Sequence, residues 1–149
     1  METENIITII ISISGSIATA ISTFFLVHKH FLYKKEKRKE LTDELNKIIE
    51  IAIIYPYVES KAFTSEWETN KNSDDERYLR YDMYCNRLYN HLHNVCDFFK
   101  YNKQKIDNFV DIKTWIRIHK QNWLNPVDEN ENIDGYDKRF RDFINSYLT

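Results

Sequence analysis

The feature that most constrains this chain is an uncharged run of 23 residues, from Asn5 to Val27. At a rise of 1.5 Å per residue, a helix of that length is about 35 Å long, and the hydrocarbon core of a bilayer is about 30 Å thick. A helix is favoured in lipid because its backbone groups bond to one another. The run therefore predicts one transmembrane helix over residues 5–27.

Charged residues flank this run unequally. Glu2 and Glu4 precede it, whereas six basic side chains and one glutamate follow it within residues 28–39. Because positive charge collects on the cytoplasmic side of a membrane, the pattern predicts residues 1–4 outside and the carboxyl-terminal body in the cytoplasm. The six basic side chains act as a topology signal and are positioned to contact anionic lipid headgroups: Lys29, Lys34, Lys35, Lys37, Arg38 and Lys39.

A cleaved secretory signal peptide is the alternative interpretation of the amino terminus. Ala18, Thr19 and Ala20 look like a small-residue cleavage site. Signal peptides begin with basic residues, however, and this amino terminus is acidic. Cleavage would also place two free cysteines, Cys85 and Cys96, outside the cell. We therefore expect an uncleaved signal anchor.

Small and hydroxylated residues recur along one side of the predicted span. At 100° per residue they fall within an arc of roughly 120°. They are Thr8, Ser12, Gly15, Ser16, Thr19, Ser22 and Thr23. Such a stripe lets transmembrane helices pack closely and hydrogen-bond to one another, so it favours self-association, with a pore lining as a further interpretation. In the simpler interpretation the hydroxyls bond their own backbone carbonyls on a lone anchor.

The rest of the chain is expected to be all-helical. Two glycines and two prolines in 149 residues are far below the usual shares of about 7% and 5%, and a sheet protein needs those residues in its turns. The sequence is therefore predicted to divide into four segments: an external terminus over 1–4, the span over 5–27, a basic juxtamembrane segment over 28–39, and a cytoplasmic helical bundle over 40–149.

Breakers and capping residues divide this body into helices. The first helix is expected to continue from the span and end before Pro56, because proline clashes with a preceding carbonyl. A short helix is predicted over 58–68, a long one over 74–101 capped by Ser73 or Asp74, a fourth capped by Asp107, and a last one over 136–148. The long helix has one apolar stripe: Tyr81, Tyr84, Leu88, Leu92, Val95, Cys96 and Phe99. The four longer helices of this set suit an antiparallel bundle.

Charge and motifs exclude several classes of function for the body. From residue 40 onward acidic side chains outnumber basic ones by five, the opposite of a nucleic-acid-binding surface. The sequence lacks a glycine-rich phosphate loop, a CxxC pair and an HExxH motif. His91 and His93 would point about 160° apart on a helix, so they are not expected to share a metal. We therefore predict no cofactor, no metal and no direct binding of nucleic acid.

One pair of residues in the long helix carries a possible chemistry. The segment Arg87-Leu-Tyr-Asn-His-Leu-His93 has an arginine, five residues and a histidine, within the loose spacing of the HEPN ribonuclease motif. In that family the pair resembles a general base with a phosphate-stabilising group. On an unbroken helix the two residues are 120° out of register. The structural alternative is a polar bundle face on which Arg87 either snorkels or pairs with Asp97 or Glu76.

With its single span, basic stop and HEPN-like body, the chain resembles the accessory membrane proteins of type VI-B CRISPR systems. Its carboxyl half is also similar to small bacterial membrane proteins linked to phage defence, through Leu92–Asp97, Ile106–Asp107, Trp115, Trp123 and Phe140–Phe143. The resemblance implies a protein of the prokaryotic inner membrane whose cytoplasmic body is a HEPN-like bundle. It also implies an oligomeric membrane pore triggered by an RNA-guided effector protein.

The expected function is therefore a homo-oligomeric, single-pass membrane protein that permeabilises the membrane in antiviral defence, without enzymatic activity of its own. Two alternatives stay open. One is a membrane-tethered HEPN-type ribonuclease that uses Arg87 and His93. The other is an anchor that recruits a soluble partner through its acidic body.

Overall fold

The computed structural model describes the backbone of residues 2–148, with the side chains of residue 19 and of residues 21–148. It is all-helical over those residues, as the shortage of glycine and proline predicts. The helices are α1 (Glu2–Ile54), α2 (Lys61–Thr64), α3 (Trp67–Asn70), α4 (Glu76–Phe98), α5 (Lys103–Asp107), α6 (Ile112–Ile118), α7 (Lys120–Leu124), α8 (Glu131–Gly135) and α9 (Lys138–Asn145), with a 3-10 turn at Pro56–Glu59. The chain divides within α1 into two compact units, Met1–Glu40 and Leu41–Thr149.

The first unit is a helical segment with no core among its described side chains. Phe24, Phe25, Leu26 and Val27 are 64–69% exposed. Its described contacts are local to the helix: the Phe24 and His28 rings stack with their centroids 6.1 Å apart, and Lys37 Nζ lies 2.7 Å from Glu40 Oε1. Large apolar side chains on this segment are therefore left uncovered by the described residues of the unit.

The second unit packs around helix α4. Ten of its 23 residues are buried, and they include six of the seven residues of the predicted apolar stripe, Phe99 being half-buried. Aromatic rings form much of the surrounding core: Trp67 meets Tyr81 edge-on at 5.4 Å, and Trp123 lies against Tyr89 at 4.7 Å. Rings bury large apolar areas, so these short helices share one core.

Several predicted helix boundaries are wrong. Asp75 caps α4 by accepting a hydrogen bond from the Arg77 amide, rather than Ser73 or Asp74. Asp107 ends α5, and Asp111 caps α6 by accepting from the Thr114 amide at 3.1 Å. An N-cap must directly precede the first helical residue in an extended conformation, and sequence alone does not choose between neighbouring acceptors.

The predicted count of four helices in the body is also wrong. The segment over 58–68 forms the 3-10 turn, α2 and the start of α3, and the predicted fourth helix breaks at His119 into α6 and α7. The last helix spans Lys138–Asn145 rather than 136–148, with Asp137 as its cap. The end of α1 before Pro56 is confirmed.

Helix α4 ends on two residues in the left-handed region without a glycine. Lys100 has φ 54° and Tyr101 has φ 59°, a conformation that costs a residue with a Cβ roughly 1–2 kcal/mol. The Tyr101 amide donates to the Cys96 carbonyl at 2.8 Å, which closes the helix end. The Arg139 guanidinium lies 4.0 Å over the Tyr101 ring and holds that residue against α9.

Candidate functional site

The predicted stripe falls only partly within the described side chains. Thr8, Ser12, Gly15 and Ser16 lie outside them, whereas Thr19, Ser22 and Thr23 are exposed. The Thr23 hydroxyl donates to the Thr19 carbonyl at 2.9 Å, which is the intrahelical bond of the simpler interpretation. No helix in the described part of the chain is long and apolar enough to cross a membrane, and most of the predicted span lies outside the side chains searched.

The basic segment after the span lies on the surface of the first unit. Five of its six cationic side chains are exposed, and Lys37 is half-buried and paired with Glu40. The exposed ones are Lys29, Lys34, Lys35, Arg38 and Lys39. Their exposure is what a surface that meets lipid headgroups requires.

Arg87 is bound to helix α1 rather than to a second catalytic group. Its Nε donates to Glu44 Oε1 at 2.7 Å. That hydrogen bond is the main reason that the pKa of Glu44 lies below its usual value. The expectation that Arg87 pairs with Asp97 or Glu76 is therefore wrong, because α1 packs beside α4 and supplies a closer carboxylate.

His93 is bound to a different part of the body. Its Nε2 lies 3.3 Å from Asp137 Oδ2 and 4.0 Å from Asp97 Oδ2, and its ring packs on Phe140 at 4.8 Å. Asp137 is also the N-cap of α9. The structure therefore gives Arg87 and His93 separate partners on α1 and α9 and does not bring them together as an acid-base pair.

His91, between them in sequence, is buried in the core. It is 1% exposed, and neither of its ring nitrogens has a hydrogen-bond partner among the described residues. Burial lowers its pKa, an effect that nearby Glu44 partly opposes. His91 therefore stays neutral in the folded protein at neutral pH.

A polar cluster that the sequence does not signal connects four elements of the body. His119, fully buried between α6 and α7, has Nε2 at 3.2 Å from Glu59 Oε1 and Nδ1 at 3.1 Å from the Tyr81 hydroxyl. The Tyr84 hydroxyl donates to the same oxygen of Glu59, and the Tyr89 hydroxyl donates to the His119 carbonyl at 3.0 Å. We refer to Glu59, Tyr81, Tyr84 and His119 as the Glu59 cluster.

The hydrogen bonds of the Glu59 cluster assign its charge. Burial raises the pKa of Glu59, but hydrogen bonds from His119 and Tyr84 and the charge of His119 together hold that pKa below its usual value. Burial and the neighbouring Glu59 raise the pKa of Tyr84, so it stays protonated and donates. His119 meets Glu59 through Nε2 and Tyr81 through Nδ1, so both of its ring nitrogens have partners. Glu59, whose pKa is held low, is the anionic member of the cluster.

Glu59 and Tyr84 open onto a groove of about 320 Å³. Its other lining residues are Ile49, Ala52, Ile53 and Trp115. The Glu59 side chain is 26% exposed, whereas His119 behind it has no exposed surface. The groove is thus an apolar and aromatic recess with a single carboxylate, on the size scale at which small ligands begin to fit.

Sequence reasoning missed this cluster because its members are far apart in the chain. Glu59 and His119 are separated by 60 positions, and Glu59 and Tyr84 by 25. The one local signal is that Ile112, Ile116 and Trp123 are spaced to share one helix face, and His119 lies on that face between them. Within the described residues no group of three or more histidine, cysteine or carboxylate side chains could hold a metal ion.

Comparison of the chain with protein-family models, curated proteins and solved structures gave no match. The resemblance to the type VI-B accessory proteins and the HEPN-like fold therefore stay predictions from the sequence motifs.

Proposed function

We propose that this chain is a single-pass membrane protein, with its amino terminus outside and its helical body in the cytoplasm. The observation that carries the proposal is the exposure of Phe24, Phe25, Leu26 and Val27. Four successive helical residues point to all sides of the helix, so no single protein surface would cover them. A helix that is apolar all round fits lipid or a ring of other helices.

The energetics of that segment support lipid as its surroundings. Removing one large apolar side chain from water is worth roughly 1.5–3 kcal/mol. Eight such side chains are exposed among the described residues of the first unit: Ile21, Phe24, Phe25, Leu26, Val27, Phe31, Leu32 and Tyr33. The uncharged run continues this segment toward the amino terminus. Exposed cations follow it, and each is worth about 1 kcal/mol near an anionic leaflet.

Assembly into a membrane-permeabilising oligomer in prokaryotic antiviral defence is the fuller form of the proposal. The stripe over residues 8–23 supports association between copies, since small residues let helices approach closely. The resemblance to the type VI-B accessory proteins supports the pore and an RNA-guided effector as the activating partner. Catalysis by Arg87 and His93 is not part of the proposal, because carboxylates of different helices bind them.

A matched pair of variants tests the membrane anchor. Ile21→Asp with Phe24→Asp places two charges in the exposed apolar segment, and Ile53→Asp with Ile54→Asp places two on exposed apolar residues of the body on the same helix. A charge deep in the bilayer costs about 2.5–3.5 kcal/mol and less near an interface. We expect carbonate washing of bacterial membranes to release the first variant and to leave the wild type and the second variant in the pellet. Release of the wild type, or equal retention of both variants, would contradict the anchor.

Labelling of single cysteines tests the orientation. A cysteine at Thr3 should react with an impermeant maleimide on intact spheroplasts, and one at Asn72, an exposed loop residue, should react only after lysis. Cys85 and Cys96 are buried, and burial raises the pKa of both thiols, so they contribute little background. The reverse labelling pattern would invert the topology.

Bulk added to the stripe tests assembly. Gly15→Leu should disperse the oligomer, because close packing depends on the missing side chain, while Ala20→Leu, about 140° around the helix, should not. Mass photometry of the detergent-purified protein measures the change. Equal effects of the two substitutions would indicate a lone anchor. If single cysteines placed in the stripe do not react with small thiol reagents while the oligomer persists, the protein assembles without a lumen.

Purified protein also tests the ribonuclease alternative. We expect no RNA cleavage by the wild type. Cleavage that Arg87→Ala or His93→Ala abolishes, with assembly intact, would replace the pore with the nuclease, since loss of an acid-base group typically costs about 10²-fold or more.

A further inference from the structure

Glu59 is a largely buried carboxylate without a permanent cation beside it. The ion pairs that lysine and arginine make in the second unit are with other acids, including Glu44, Asp75 and Asp142, and the ionic partner of Glu59 is His119. Buried charges in proteins are normally paired, because an unpaired charge loses its hydration. Asp97 and Asp137 also pair with a histidine, but their side chains are 61% and 56% exposed, whereas that of Glu59 is 26% exposed.

The hydrogen bonds to Glu59 are unevenly placed on its two oxygens. The Tyr84 hydroxyl and His119 Nε2 both meet Oε1. The second oxygen, Oε2, accepts no hydrogen bond from the described part of the chain, and the side chain keeps a quarter of its surface exposed. A carboxylate has about four acceptor positions, so Glu59 retains acceptor capacity toward the groove.

The surroundings of that carboxylate select the kind of cation. Helix α1 contributes Ile49, Ala52 and Ile53 to the groove, and α6 contributes Trp115. A bare metal ion needs several oxygen or nitrogen ligands, and one carboxylate with a histidine already bound to it does not supply them. An organic cation instead brings its own apolar surface for the isoleucines, and the Trp115 and Tyr84 rings attract positive charge.

We propose that this groove is a binding site for an alkylammonium ion, a primary amine on a short apolar chain, whose ammonium group donates to Glu59 while its carbon chain lies against Ile49, Ala52 and Ile53. Tyr84 and His119 are the positioning residues: they fix Oε1 and leave Oε2 to the ligand. The site is independent of the proposed membrane function, since every residue in it belongs to Leu41–Thr149.

The probe for the test is n-hexylammonium, with 1-hexanol as its neutral counterpart. The full chain is purified in an uncharged maltoside detergent and phosphate buffer, because amine buffers would compete for the site. Saturation-transfer NMR detects binding, and a titration of tryptophan fluorescence measures affinity. The wild type should bind hexylammonium about tenfold or more tightly than hexanol, as expected when one partner of a charge-assisted hydrogen bond is lost.

Matched variants distinguish binding to the Glu59 carboxylate from nonspecific adsorption of the probe. Glu59→Gln keeps the shape and should weaken hexylammonium binding about tenfold or more. Glu50→Gln changes an exposed acid of α1 outside the groove and should leave binding unchanged. Partitioning of the probe into micelles is the same for both proteins. Ala52→Phe fills the groove without changing the carboxylate and should also abolish binding, with circular dichroism to verify its fold.

Three outcomes would overturn the proposal: no saturable binding by the wild type, equal affinity for hexanol, or equal affinity in Glu59→Gln. If Glu59→Gln does not fold, the comparison of hexylammonium with hexanol and the Ala52→Phe variant still decide. A parallel titration with Nα-acetyl-lysine methylamide as a second probe identifies the source of the ammonium group. Binding of both probes assigns the site to a lysine side chain of a partner, and binding of hexylammonium alone assigns it to a free amine.

Discussion

Two stretches of helix α1 use apolar residues in opposite ways. Over residues 21–33 the large apolar side chains occur on all sides and are exposed, as at Phe25 and Leu26. From Leu41 onward they recur at spacings of four and three, and Leu41 and Ile48 are 3% and 0% exposed. One neighbouring surface can cover a one-sided stripe, whereas no single surface covers a helix that is apolar on all sides. The period of the pattern, rather than its hydrophobicity, therefore separates a core-facing segment from one that needs other surroundings.

The largest expected effect is on the stability of the body, when one buried aromatic side chain of the body and one exposed aromatic side chain of the first unit are each replaced by alanine. Trp67 is fully buried against Tyr78 and Tyr81, and its indole donates to the Asn125 carbonyl at 2.8 Å. Trp67→Ala should lower the free energy of unfolding of the body by about 3–5 kcal/mol, because it leaves a large cavity. Phe25→Ala should change it by less than about 0.5 kcal/mol. Urea unfolding of the full chain in detergent measures both, and similar costs would mean that Phe25 belongs to a packed core.

The next effect tests the Glu59 cluster as a structural network. Tyr81→Phe removes the hydroxyl beside His119 Nδ1 and should cost about 1–3 kcal/mol in the free energy of unfolding, since a buried ring nitrogen is left without its hydrogen-bond partner. Tyr33→Phe, the same change on an exposed residue of the first unit, should cost less than about 0.5 kcal/mol. Equal costs in the same urea experiment would show that the cluster adds nothing to stability.

Local patterns predicted those parts of the fold that local physics determines. Proline geometry places the end of α1 before Pro56, and helical spacing on α4 identifies buried residues such as Tyr84, Leu88 and Leu92. The exact caps were missed because several acceptors stand near each helix start, as with Asp74 and Asp75. A choice between them depends on the backbone conformation set by tertiary packing.

The candidate site could not be read from the sequence for a different reason. The Glu59 cluster joins side chains 25 to 60 positions apart, so no spacing rule connects them. Arg87 and His93 are the opposite case. Their spacing along one helix resembles a motif and predicts a catalytic pair, but the fold does not bring them together. Each binds a carboxylate from another helix, Glu44 or Asp137. Only the packing of helices against α4 decides these partners.

The third prediction concerns pH and the buried His91. Its pKa is lowered by burial, so below the ordinary value of 6.5 the unfolded chain takes up a proton that the folded chain does not. Stability from this residue is therefore complete above pH 6.5 and declines on acidification, by at most about 1.4 kcal/mol per pH unit. His91→Leu should flatten that decline in urea titrations between pH 7 and 5.

Glu59 provides the internal reference for the His91 measurement. Its pKa is held below 4.5, so its contribution to stability is present above that value and is lost at lower pH. The acid loss below pH 4.5 should therefore persist in His91→Leu. An unchanged slope between pH 7 and 5 would mean that folded His91 accepts a proton and has a polar partner.

The smallest expected effect is the coupling of Arg87 to Glu44. Their side chains are 39% and 33% exposed, so water and salt screen the pair despite its 2.7 Å hydrogen bond. A double-mutant cycle with Arg87→Ala and Glu44→Ala should give a coupling free energy of about 0.2–1 kcal/mol, decreasing at high salt. The more exposed Lys138–Asp142 pair of α9 should give about 0.5 kcal/mol or less. A coupling well above 1 kcal/mol would place Arg87 among the structural residues of the core. A small coupling together with an unchanged urea midpoint of the single variant means that Arg87→Ala stays folded, so its effect on RNA cleavage or on membrane permeability reports chemistry rather than stability.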